Sequence, residues 1–249
     1  LPESDELAQF PEVSELLDRL QQALETRAKD VAGDVIVLPL NELSAQACSL
    51  LYQTLGEGEV MLRVKQPDGG VLAIQESVLA GVWWIQNQNA DGSLASQWLE
   101  VAAIPACVLT DSFASASVPD MPEVPAGLLN AAPVLLELLD KATAHTEQAF
   151  EQPHVINLSL LPFSPEDHAF LHEILRFGPT SILSRGYGNC RITSTGVNGI
   201  WRVQYFNSTD QLILDTLEVI AVPQVACAAR EDLEDSAERL AEIHEAMSA

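Results

Sequence analysis

The chain repeats itself, and this duplication constrains its fold more than any other feature. "GVWWIQNQNADGSLASQWLEVAAIP" (81–105) laid without a gap on "GIWRVQYFNSTDQLILDTLEVIAVP" (199–223) gives ten identities in 25 positions, among them Gly81/Gly199, Trp83/Trp201, Gln86/Gln204, Glu100/Glu218 and Pro105/Pro223. Whatever structure the first segment adopts, the second adopts as well. Upstream, "LSAQACSLLYQTLGEG" (43–58) aligns with "FSPEDHAFLHEILRFG" (163–178) at an offset of 120 instead of 118, so two residues were gained or lost between the two matches. "ELLDR" (15–19) echoes "ELLDK" (137–141), and the Pro-rich "SVPDMPEVPAG" (117–127) reads as a linker. The expected organisation is two repeats, 1–119 and 120–249, the second ending in a terminal helix.

Each repeat reads as helices followed by a meander of strands. Apolar residues at helical spacing (Leu16, Leu17, Leu20, Leu24; Leu135, Leu138, Leu139) predict a first helix near 12–28 and 128–150. Ser44 and Ser164 are N-caps for a second helix, with "SPED" placing Pro at its first position and Gly178 expected to end it. Strands follow near 59–66, 71–78, 81–89 and 94–104, with counterparts near 180, 190, 200 and 212. Gly81 and Asn198-Gly199 mark the hairpin between the middle two. Period-2 reading puts Trp83, Ile85, Leu99 and Val101 on one helix-covered face, and Gln86, Gln204, Glu100 and Glu218 on the other. The last helix shows Leu233, Ala237, Leu240 and His244 on one side. The fold class is α+β: two tandem duplicated units, each with helices packed on a small antiparallel meander sheet, about an approximate internal two-fold.

Charge narrows the partners. Twelve Lys and Arg against 36 Asp and Glu give a formal net charge of −24, which repels phosphate backbones and argues against nucleic acid. Such a surface favours solubility and attracts basic segments. No apolar run approaches the ~20 residues of a membrane span. Cys48, Cys107, Cys190 and Cys227 show neither metal-site nor disulfide-framework spacing, so no cofactor or metal is expected. The start of the chain shows no export signal, and the expected location is the cytoplasm.

One loop stands apart. "SILSRGYGNCRITSTG" (181–196) resembles a phosphate cradle, yet a strand rather than a helix N-terminus follows it. Aligned on the first repeat, "GYGN" (186–189) falls on "DGGV" (68–71), so its glycines serve a turn that both copies need. Tyr187, Asn189, Cys190 and Arg191 are additions of the second copy, and Arg185 has a basic counterpart in Lys65. Arg191 beside Cys190 is expected to lower the thiol pKa, which makes a nucleophilic or redox cysteine the enzymatic alternative. Arg185, Arg191 and Arg202 are three of 12 basic residues, available either for ion pairs with Asp210, Asp215 or Glu218 or for gripping a partner's carboxylate or carbonyl. His168 and His172, four apart on a helix, read as a solvated face, since two ligands without a third do not hold zinc. No catalytic constellation emerges; the candidate partner-binding residues are Arg185, Tyr187, Asn189, Cys190, Arg191 and Arg202.

The strings "SILSRGYGNCRI" (181–192), "WRVQYFNSTDQLILDTLEV" (201–219), "VPQVACAAREDLEDSAERL" (222–240) and "IQESVLAGVWWIQ" (74–86) resemble the HupH/HyaF family of hydrogenase expression (maturation) proteins. The resemblance implies a cytoplasmic, non-catalytic chaperone or scaffold for a nickel–iron hydrogenase. Its implied partners are the small-subunit precursor, its iron–sulfur clusters and other maturation proteins. It carries over no catalytic residue. The competing readings are a thiol or metal-handling factor using Cys190, and an adaptor that dimerises through open sheet faces.

Overall fold

The computed structural model describes residues 9–186 and 188–248. Helix α1 (Pro11–Lys29) forms because its apolar residues recur on one stripe, and that stripe is buried through Val13, Leu17, Leu20 and Leu24. After a short strand β1 (Ile36–Pro39), α2 (Ala45–Leu55) opens with the Ser44 hydroxyl accepting from Ala47 N at 3.1 Å. Strands β2 (Val60–Lys65), β3 (Val71–Glu76), β4 (Val82–Gln88) and β5 (Leu94–Val101) follow, then α3 (Ala106–Asp111). The second repeat runs through α4 (Ala131–Glu147), β6 (His154–Asn157), α5 (Pro165–Leu175), β7 (Thr180–Ser184), β8 (Asn189–Ser194), β9 (Ile200–Phe206) and β10 (Leu212–Val219). Helix α6 (Arg230–Ser248) ends the chain.

The duplication is exact in register. Val82, Trp83 and Trp84 on β4 face Val101, Glu100 and Leu99 on β5; Ile200, Trp201 and Arg202 on β9 face Val219, Glu218 and Leu217 on β10. The turn into each of these pairs repeats too: Ser77 and Thr195 each accept from the backbone N–H two residues on, and Gly81 and Gly199 both sit at positive φ (81° and 76°). A Cβ at Gly81 would run into Leu233 Cδ2, so backbone angle and close packing both demand glycine. The short strands β1 and β6, each antiparallel to the last strand of its repeat, went unread because four residues carry too little period-2 signal.

Packing cuts the chain differently from the repeat. One compact unit comprises 1–62, 66–106 and 227–249; the other comprises 63–65 and 107–226. The terminal helix, expected with the second repeat, belongs to unit 1. There Leu233, Ala237 and Leu240 join the core of α1 and α2, and Ser236 Oγ donates to Ala80 O at 3.0 Å.

Two further expectations need correction. Register places Leu99 and Val101 with Val82 and Trp84 on the helix-packed face, while Trp83, Ile85 and Glu100 share the opposite face. Both faces are buried, since Trp83, Ile85, Leu99 and Val101 are all at 0% exposure, and unit 2 repeats this with Trp201 and Val203 against Ile200, Leu217 and Val219. A strand buried on both sides loses the polar alternation that period-2 reading relies on. In β4 and β9 both faces are thus covered over most of the strand, while β2 keeps exposed positions along one face. Helix α5, in turn, ends on Arg176 at φ 52°, not on Gly178; Gly178 instead lies where a Cβ would strike Ser194 and the Thr195 carbonyl.

The N-terminus of α5 is a complete capping box. Ser164 Oγ accepts from Asp167 N, and Asp167 accepts from the N–H groups of Ser164, Leu129, Asn130 and Ala131 at 2.9–3.1 Å, tying α4 to α5. Burial alone would push this carboxyl up, but the four donors hold it at about 2. A depressed carboxylate contributes stability above its unfolded pKa of about 3.9 and loses it as pH falls through the folded value. Wild-type protein is expected to lose stability between about pH 4 and pH 2. Asp167→Asn, melted in parallel by circular dichroism, is expected to be less stable at neutral pH and flatter across that window.

Candidate functional site

The second copy's additions do not converge on one point. Alternation along β8 sends Asn189, Arg191 and Thr193 to the helix-covered side of unit 2, and Cys190 and Ile192 to the other. Cys190 lies across from Tyr205 on the Trp201 face, 3% exposed, with Glu218 nearby. Burial pushes its thiol up to about 11, a hydrogen bond from Tyr205 pulling it down and Glu218 raising it further. The expected lowering by Arg191 does not occur, because adjacent residues of a strand point to opposite faces. Arg191 lies over the Phe206 ring at 5.4 Å. Asn189 Nδ2 donates to Asp210 Oδ1 at 2.9 Å, Arg185 is exposed, and Tyr187 lies outside the described residues.

Arg202 resolves in favour of the ion pair. Its Nε and one terminal nitrogen donate to the two carboxylate oxygens of Asp215 at 3.0 and 2.6 Å, and this pairing holds its own pKa up. The fork forms the edge of a cleft between α5 and the helix-covered side of β8–β10. Leu158, Leu171, Leu175 and Leu217 supply its apolar lining; His168, His172, Arg176, Phe177, Thr193, Ser194 and Thr195 complete it. Its cavity volume is about 40 Å³, room for a few water molecules and well short of a ligand-sized pocket. His168 packs on Phe163 and His172 on Phe177, with ring centroids 5.2 and 4.8 Å apart. His168 and His172 are both exposed, as a solvated helix face requires, and stand at the mouth of the cleft. Among the described residues no group of three metal-ligating side chains forms.

The first copy gives the same position a different content. Tyr52 stands where the second copy has His172, Trp84 where it has Arg202, Gln97 where it has Asp215, and Cys48 where it has His168. Tyr52 and Trp84 pack edge to face at 5.3 Å; Trp84 Nε1 donates to Gln97, Gln97 donates to Cys48 Sγ, and the Tyr52 hydroxyl donates to Glu57 at 2.5 Å. These side chains satisfy one another and fill the space. The signal that finds the cleft in sequence is therefore the pair of exchanges Trp84/Arg202 and Gln97/Asp215 within an otherwise matched segment.

The family model for the HupH hydrogenase expression protein, C-terminal conserved region, matches residues 12–116 and again residues 128–247. The chain belongs to this HupH family. The double match falls on the two repeats. A hydrogenase expression/formation protein HoxQ from Azotobacter vinelandii is 55% identical over 99% of this chain and 86% of its own length. HupH from Rhodobacter capsulatus is 41% identical over the same shares, and the hydrogenase-1 operon protein HyaF from Escherichia coli K12 is 33% identical over 96% and 82%. A solved HupH family structure, the hydrogenase expression protein HupH from Thiobacillus denitrificans, matches at 26% identity with a TM-score of 0.42, covering 45% of this chain and 92% of its own. No helix among the described residues is long and apolar enough to cross a membrane.

Two outcomes follow from the cleft and its surroundings in this HupH family chain. Asp215→Ala removes the partner of a guanidinium held largely inside the protein and is expected to cost roughly 2 to 4 kcal/mol in urea unfolding. Alkylation at pH 8, mapped by peptide mass spectrometry, is expected to modify half-buried Cys48 well before Cys190; equal rates would contradict a thiol held neutral by burial.

Proposed function

We propose that this chain is a non-catalytic accessory factor, a chaperone or scaffold, in the maturation of a nickel–iron hydrogenase. It acts in the cytoplasm on the small-subunit precursor or on its iron–sulfur clusters, and unit 2 provides the partner-binding half. The observation that carries the reading is near-complete alignment with proteins named for hydrogenase expression and formation, over 96–99% of the chain for the three relatives above. The physical chemistry supports it: the thiol nearest to being a nucleophile is buried and raised to about 11, so the redox alternative has no poised thiolate at that position. The divergence of the two copies supports unit 2 as the working half, since a position filled by Trp84 and Gln97 in one copy carries the Arg202–Asp215 ion pair beside a small cleft in the other.

The net charge of −24 gives the factor a long-range field that attracts a basic segment such as the leader of an export-bound precursor. The test is a pull-down of the small-subunit precursor with and without its leader, at low and high salt. The leader is expected to raise recovery several-fold at low salt, and the gain is expected to shrink near 0.5 M salt. Equal recovery without the leader sinks the steering role. Full hydrogenase activity in a strain lacking the factor sinks the maturation role itself.

A further inference from the structure

We propose that unit 1 seats a basic side chain of a partner protein, arginine or lysine, in a cleft between the start of β2, the turn from β3 to β4 and helix α6, with Glu76 as its buried counter-ion. The proposal rests on the reading of a basic segment drawn in by the acidic field, and names where one of its cations comes to rest.

This cleft has room. Its volume is about 370 Å³, against about 40 Å³ beside the Arg202–Asp215 pair, and it falls within the roughly 300–1,000 Å³ of ligand sites. Glu76 lines it at the end of β3 and is only 8% exposed. Its Oε1 accepts from Gly81 N at 3.2 Å; its other oxygen has no partner among the described residues, yet is not sealed from solvent. Arg239 at the rim has Nη1 3.5 Å from Val78 O and makes no ion pair among the described residues, so the fold supplies Glu76 with no counter-charge of its own.

The fold does not require this carboxyl. In the second copy the same position is Ser194, and the backbone bond across it repeats: Gly58 N donates to Glu76 O and Gly178 N to Ser194 O, each at 2.7 Å. Ser194 Oγ accepts from Thr180 N at 3.0 Å, which satisfies the second copy's polar group inside the fold. Asp167 offers the other comparison, a buried carboxylate held down by four N–H donors where Glu76 has one. Burial pushes Glu76 up to about 7, the Gly81 bond lowering it and Asp232 and Glu59 raising it further. A cation arriving in the cleft favours its ionised form.

The lining selects the cation. Among the described residues no three metal-ligating side chains form a group, which leaves a metal ion without a ligand set. Val60, Val78 and Ala80, none of them fully buried, offer apolar walls for a methylene stem. Glu57 and Glu59, both exposed, add negative charge around the head group that Glu76 receives. A long basic side chain meets both demands at once.

The test follows the Gly81 amide, bonded to Glu76, in NMR spectra of the nitrogen-15-labelled full chain as N-acetyl-arginine amide is titrated in. The resonance is expected to shift saturably, with about tenfold tighter binding at pH 8 than at pH 6, because the ionised, binding-competent fraction of Glu76 rises from about one-tenth to about nine-tenths. N-acetyl-citrulline amide, neutral and of nearly the same shape, is expected to leave it in place. Glu76→Gln is expected to weaken arginine binding roughly tenfold and to flatten the pH profile; Glu59→Gln is expected to weaken it roughly two- to threefold. If Glu76→Gln does not fold, the wild-type pH profile and Glu59→Gln decide. Equal shifts from arginine and citrulline, an affinity flat between pH 6 and pH 8, or unchanged binding in folded Glu76→Gln overturns the proposal. So does binding of spermidine where capped arginine does not bind, which assigns the cleft to a free polyamine. The two readings fail separately: a leader that leaves precursor recovery unchanged removes the steering role and leaves arginine binding, while flat arginine titrations remove the seat and leave a salt-dependent gain from the leader.

Discussion

A buried indole N–H has to find an acceptor, and the molecule is arranged around meeting that demand twice. Trp83 Nε1 donates to Ala102 O at 2.9 Å, and Trp201 Nε1 donates to Ile220 O and Ala221 O at 3.2 Å, with both rings fully buried. The acceptors sit just past the last strand of each repeat, so the ring locks β4 to β5 and β9 to β10 in one register. Slippage by one residue would leave a buried donor unpaired and turn each strand inside out. With the register fixed, Arg202 falls beside Leu217 and within reach of Asp215, and the floor and edge of the cleft follow.

The two copies divide the demands of folding and recognition. In the first, polar atoms around Trp84 are consumed internally, which makes a closed, well-packed interior. In the second, a charged fork and two imidazoles occupy the corresponding places and leave an opening. Exchanging an apolar filling for a salt bridge gains little stability, because desolvating the charges offsets most of their attraction.

Much of this was legible in the sequence. The repeat, the second helices with their serine caps, the four meander strands and the glycine hairpins are local or periodic signals, and they matched. Face assignment was not legible, because Trp83 and Leu99 are equally apolar and only the antiparallel register tells which side each takes. The short edge strands and the membership of the terminal helix depend on distant partners, as does the fate of Cys190, whose neighbour Arg191 is close in sequence and across the sheet in space. Of the six candidate residues only Arg202 lines the cleft; Asp215 entered the sequence reading as one of its possible ion-pair partners and His168 and His172 as a helix face, while Arg176 gave no signal.

Arg176 and Asp210 hold left-handed backbone angles, φ 52° and 58°, at places where the first copy has Gly56 and Gly92. The glycines reach that region freely and leave it freely; a residue with a Cβ enters it at a cost of about 1–2 kcal/mol. What the second copy obtains is a shorter list of backbone states at each position. The turns at the end of α5 and before β10 are thus held by their surroundings in a backbone conformation that the first copy's glycines adopt without cost.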